Sequence, residues 1–101
     1  MWLFVFFDLP TETRKQRKNA SLFRKRLLKD GFYMMQYSVY LRHCASSESA
    51  DAHEKRVKNF LPFVGKVSIL RITDKQYGNI MNYWGKGLVN NEPTPMQLEL
   101  F

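Results

Sequence analysis

Trp2-Leu3-Phe4-Val5-Phe6-Phe7-Asp8-Leu9-Pro10-Thr11 is the stretch on which the fold turns. Residues 2–7 form an unbroken apolar run of strand-forming types, which predicts a central strand buried on both faces. Pro10 lacks the N–H that a ladder needs, so the strand ends before it. Asp8 therefore stands at the carboxyl end of a buried strand. Thr11 is placed to cap a helix, with Glu12 favoured by the dipole in its first turn. The helix is expected to run to about Lys29 or Asp30, with Gly31 suited to the position just past its end. At about 100° per residue, Gln16, Ala20, Phe23 and Leu27 share one face. Arg14, Lys18, Lys25 and Lys29 form a narrow stripe on the opposite side, and Leu22 and Leu28 are expected to widen the apolar contact.

Working outward, Phe32 to Leu41 reads as a strand, bent or broken near Gln36. Ser46 to about Leu61 reads as a second helix, with Glu48 and Asp51 near its start and Lys55, Arg56 and Lys58 near its end, an order that suits the dipole. Pro62 ends it. Val67 to Ile72 is a further strand. Thr73-Asp74-Lys75-Gln76 is a capping box opening a short helix. Met81 to Trp84 is expected to form a short strand, closed by Gly85-Lys86-Gly87. Asn90 to Pro95 is a linker with two prolines, and Gln97 to Phe101 returns to strand character. The order predicts an α+β domain over residues 1–89, with helices on one face of a mainly antiparallel sheet. Aromatic side chains on the other face would form an exposed apolar patch, and a dimer stacked sheet to sheet would cover it. Residues 90–101 are then a linker and a terminal strand that joins the partner's sheet by strand addition.

The 101 residues are 45% hydrophobic, with eight Phe, five Tyr and two Trp, enough for one small core. Sixteen Lys and Arg face nine Asp and Glu, giving +7 and a preference for a polyanionic partner. Residues 11–30 hold eight of the sixteen: Arg14, Lys15, Arg17, Lys18, Arg24, Lys25, Arg26 and Lys29. Only Glu12 and Asp30 oppose them, so this segment carries +6 of the total. An ordinary solvated helix face mixes signs, whereas this one fits a phosphate backbone without reading base sequence. No segment has the length and apolarity of a membrane span, and the first nine residues read as a strand rather than a signal peptide. The lone Cys44 is read as structural and suits a reducing cytoplasm. His43 and His53 match no metal-ligand spacing. No phosphate-binding glycine loop and no aromatic RNA-recognition signature is present. Asp8 has two readings, cap or turn former and metal ligand, and spacing alone favours the first. One carboxylate makes a poor Mg²⁺ site, but a symmetric dimer would supply Asp8 twice.

Three segments in order carry a family resemblance. Phe6-Phe7-Asp8-Leu9-Pro10 with the basic helix after it resembles the opening of the CRISPR-associated Cas2 proteins. Gln36-Tyr37-Ser38-Val39-Tyr40 is similar to that family's Gln-x-Ser-Val-aromatic strand. Gly65-Lys66-Val67 through Ile72-Thr73-Asp74-Lys75-Gln76-Tyr77 resembles the later strand and turn of the branch found with type II systems. The resemblance implies a ferredoxin-like fold and a homodimer in the prokaryotic cytoplasm. It implies a scaffold for spacer acquisition that holds duplex DNA, or RNA, between dimers of the CRISPR integrase (Cas1). It also implies a Mg²⁺-dependent endonuclease label centred on Asp8 as catalytic residue and metal ligand, the ion being shared between the two Asp8 of the dimer. Arg14 and Arg17 match the family's helix arginines in type and place, and Lys18, Lys25 and Lys29 extend the nucleic-acid surface. Two other readings stand beside this one: a non-catalytic structural nucleic-acid-binding module, and a stand-alone toxin-like ribonuclease.

Overall fold

The fold is given by a computed structural model that describes residues 1–85. Strand β1 (Trp2–Asp8) is followed by helix α1 (Arg14–Lys29), strands β2 (Tyr33–Gln36) and β3 (Val39–His43), helix α2 (Ser47–Asn59), strand β4 (Lys66–Ile72) and the short helix α3 (Asp74–Gly78). The strands form one sheet in the order β2-β3-β1-β4, with every neighbouring pair antiparallel. Its apolar run makes β1 the natural interior strand, and β3 and β4 flank it over most of its length. This is the ferredoxin-like α+β arrangement expected from the sequence.

Period-two alternation sorts β1 between two faces. Leu3, Val5 and Phe7 point to the helices and join Phe23 and Leu27 of α1, and Ala50 and Val57 of α2, in one buried core. Phe7 meets the Phe23 ring edge-on at 5.2 Å between centroids. Burying side chains of this size contributes about 1.5–3 kcal/mol each. Trp2, Phe4, Phe6 and Asp8 lie on the opposite face. There α3 provides partial cover: Tyr77 stacks on Trp2 at 3.8 Å. Burial, and then hydrogen bonding with Tyr77, pushes the Tyr33 hydroxyl well above the usual tyrosine range. The helices are therefore not confined to one face. Beyond α3's cover the face stays open, with Phe6 37% and Leu70 49% exposed.

Other boundaries differ from the sequence reading for local reasons. The cap of α1 is Thr13, not Thr11: its hydroxyl accepts from Gln16 N–H, and the Gln16 side chain returns to the Thr13 N–H. Glu12 consequently lies outside the first turn. Leu22 and Leu28 stay exposed, because the core takes only the Ala20, Phe23 and Leu27 stripe. The 32–41 segment is two strands, as the bend or break expected near Gln36 allowed, and the break falls at Tyr37-Ser38, where Ser38 adopts a φ of 64°. α2 ends at Asn59, and Phe60 serves as its C-cap. Met81–Trp84 is not a strand: no sheet edge among the described residues takes it up, and Met81 and Tyr83 are exposed. The 90–101 linker and terminal strand lie outside the described residues.

Candidate functional site

Asp8 ends β1 on the sheet face turned away from α1 and α2. Its cross-strand partner is Lys66, and Phe6 one pleat earlier faces Ser68 and Val39. These residues, with Phe7 and Ser38, line a cleft of about 270 Å³. Two contacts set its walls. The Phe7 N–H donates to the Ser38 carbonyl at 3.1 Å, tying the β2–β3 turn to the end of β1. Gly65, at φ +100°, lets the loop before β4 press on the same point: a Cβ there would sit 2.8 Å from the Asp8 carbonyl oxygen and 2.6 Å from a Leu9 methyl. The Asp8 side chain is exposed, and it makes no hydrogen bond or ion pair among the described residues. Thr13 caps α1, so the cap reading of Asp8, which spacing alone favoured, is overturned.

The second feature is α1. Seven of its eight cations are exposed and Arg24 is half-buried. Arg17 Nη1 donates to the carbonyls of Thr11 and Glu12 at 3.1 and 3.0 Å, so this side chain braces the loop that leads from Asp8 into the helix. No cation of α1 enters an ion pair among the described residues. Elsewhere the described basic residues are mixed: Arg56 pairs with Asp30, Lys58 with Glu54, and Arg71 with Asp51 and Glu54, whereas Arg42, Lys55, Lys66 and Lys75 enter no ion pair among the described residues.

The structure brings Arg14, Arg17, Lys18, Lys25 and Lys29 onto one helix, and it leaves them outside the Asp8 cleft. Asp8 instead meets Lys66, Ser38 and Ser68, which the sequence reading missed. Lys66 and Ser68 alternate with the inward Val67 and Ile69, so their face was legible from β4; the register that sets Lys66 opposite Asp8 was not. The two histidines have other work. His53 is buried and bonds Asp30 at 2.8 Å, joining the end of α1 to α2. His43 is exposed beside Asp74 at 3.3 Å. A hydrogen bond from the N-terminal ammonium at 2.7 Å holds the Asp74 carboxyl below the usual range. Cys44 is buried, in keeping with a structural role.

Among the described residues no three His, Cys, Asp or Glu side chains lie together. The described residues of one chain therefore offer no all-protein cage for a divalent metal. Its donor set still fits Mg²⁺ in the mode that ion prefers, with one or two carboxylates completed by water and substrate phosphate. Asp8 is free to be such a ligand, with Ser68 beside it.

The sequence profile of the family "CRISPR associated protein Cas2" matches residues 1–80. The chain belongs to that family. A Cas2 relative from Flavobacterium psychrophilum is 55% identical over all 101 residues, which cover 88% of that protein. One from Parvibaculum lavamentivorans is 54% identical over the full length of both chains. Both bear the name CRISPR-associated endoribonuclease Cas2. The crystal structure of Streptococcus pyogenes Cas2 at pH 6.5 superposes with a TM-score of 0.59, covering 83% of this chain and all of that one. At 18% identity this likeness speaks for the Cas2 fold alone. No described helix is long and apolar enough to cross a membrane.

Proposed function

We propose that this Cas2 protein is a homodimeric scaffold of CRISPR spacer acquisition, holding duplex DNA through α1 while it bridges dimers of the CRISPR integrase. The observation that carries the reading is the set of eight α1 cations, none ion-paired among the described residues. Cations already neutralised by neighbouring carboxylates are weak ligands for phosphate. These remain available, and helical spacing lets them track a backbone with no reading of sequence. The open side of the sheet supports dimerisation: Phe6 and Leu70 present apolar surface that a second copy would bury. Stacked this way, two Asp8 clefts approach one another.

A secondary phosphodiesterase activity, on RNA or DNA, is assigned to that seam. Two Asp8 carboxylates would hold Mg²⁺, which supplies polarisation of a phosphoryl oxygen and orientation of water. Lys66 places positive charge beside the phosphate, and Ser38 and Ser68 offer hydroxyl donors to its oxygens. The cleft contains no His and no second carboxylate from the same chain to serve as general base. That lining supports scaffolding as the primary function, with nucleolysis subsidiary to it.

The test is duplex binding by the double variant Arg14→Glu/Lys18→Glu. Both side chains are exposed, so folding should be retained. Affinity for unrelated duplexes should fall together by about tenfold or more, with the salt slope reduced by about two per chain. Loss confined to one sequence, or wild-type affinity in the variant, would refute the phosphate contact.

A further inference from the structure

On the helix side of the sheet, α1 and the β2–β3 turn enclose a second recess, separate from the Asp8 cleft. Its volume is about 310 Å³. Tyr40 and Met34, each only 4% exposed, form the floor. Arg24 and Lys25 stand on the α1 wall, and Tyr37 closes the opposite side with 73% of its surface exposed. The Arg24 guanidinium reaches close enough to Tyr40 to oppose the upward push that burial gives its hydroxyl. Neither Arg24 nor Lys25 has a carboxylate partner among the described residues, and no acidic side chain lines the recess.

An exposed tyrosine in a turn is unremarkable when the turn is free to move. This turn is fixed: the carbonyl of Ser38, the next residue, accepts the Phe7 N–H of the central strand. The Tyr37 ring thus rises from an anchored stretch of backbone, beside two cations with no ion-pair partner among the described residues. That pairing suits an unstacked base with its phosphate, because every base has a π-face and stacking on an aromatic ring needs no sequence match. The volume lies at the small end of the range for ligand sites, about 300–1,000 Å³, enough for one nucleotide and too small to admit a duplex.

We propose that this recess is a subsite for an unpaired nucleotide of single-stranded nucleic acid, with Tyr37 as the stacking platform and Arg24 and Lys25 as phosphate partners. The proposal rests on the nucleic-acid reading above and adds a substrate form to it. A duplex carrying a single-stranded extension would use both surfaces, Arg14, Lys18 and Lys29 for paired phosphates and the recess for the first unpaired residue.

The experiment compares a blunt duplex with a single strand of about ten nucleotides carrying a fluorescent aminopurine, within the span such proteins occupy. Chelator is present to prevent cleavage, and thermal melting confirms that each variant is folded. Wild-type protein is expected to bind both, with quenching of the aminopurine on stacking. Tyr37→Ala should weaken single-strand binding by at least about fivefold and abolish the quenching, while duplex affinity stays within about twofold. Tyr37→Phe keeps the ring and should keep both signals. Wild-type single-strand affinity and quenching in Tyr37→Ala would overturn the subsite and leave the scaffold reading standing. Equal loss on duplex and single strand would also overturn it, since Tyr37 would then not discriminate unpaired bases. Failure of the wild type to bind either probe would remove the scaffold reading, and the subsite with it.

Discussion

At Asp8 a carboxylate reaches the end of a central strand and finds no structural employment. α1 has its own cap in Thr13, and Asp8 bonds no amide or cation among the described residues. A polar side chain that the fold does not use is available for chemistry. In the proposed dimer two such carboxylates approach, and like charges repel. Asp8→Asn keeps the shape and removes that repulsion. Its melting temperature without metal should equal or slightly exceed the wild type's, while Mg²⁺-dependent cleavage is lost. Paired melting and cleavage assays check this, and full cleavage by a pure Asp8→Asn preparation would end the metal-ligand assignment. Spacer acquisition in cells should survive the substitution, because scaffolding asks nothing of the carboxylate.

At the scale of the element, α1 shows how one helix can serve two masters. Its buried stripe of Ala20, Phe23 and Leu27 fixes it to the sheet, and the remaining faces are left to cations. Such a helix has strong like-charge repulsion along its length and leans on its cap. Thr13→Ala removes the hydroxyl that accepts the Gln16 N–H and should cost about 1 kcal/mol of stability, read by denaturant titration. A change near zero would mean that Gln16 and the Arg17 brace suffice. The 3.6-residue period made the buried stripe legible, and the unbroken apolar run of residues 2–7 made β1 legible. The cap is Thr13 rather than the expected Thr11, and Gln16 three residues on is the capping-box signal that would have pointed to it. The break near Gln36 was expected, but its place at Tyr37-Ser38 was not fixed, since aromatic and β-branched residues run through both strands and the turn needs no glycine. Met81–Trp84 has strand composition yet remains outside the sheet, for composition alone does not provide an edge to pair with. Asp8 was visible from the chain as a strand-ending carboxylate; its neighbours Lys66 and Ser68 depend on cross-strand register, which local pattern does not encode.

At the scale of the molecule, the sheet has one face committed to its core and another only partly closed by α3. Trp2 and Phe4 gain cover from Tyr77, whereas Phe6 and Leu70 remain open. The proposed dimer closes that gap, doubles the basic helices and brings the two Asp8 clefts together. Native mass spectrometry of the protein with a blunt duplex tests the dimer and its duplex binding together. The account predicts a free protein at twice the 12.0 kDa chain mass and a complex of two chains with one duplex, dissociating as salt is raised. A monomer that binds duplex one chain at a time, or a dimer that binds none, would contradict it.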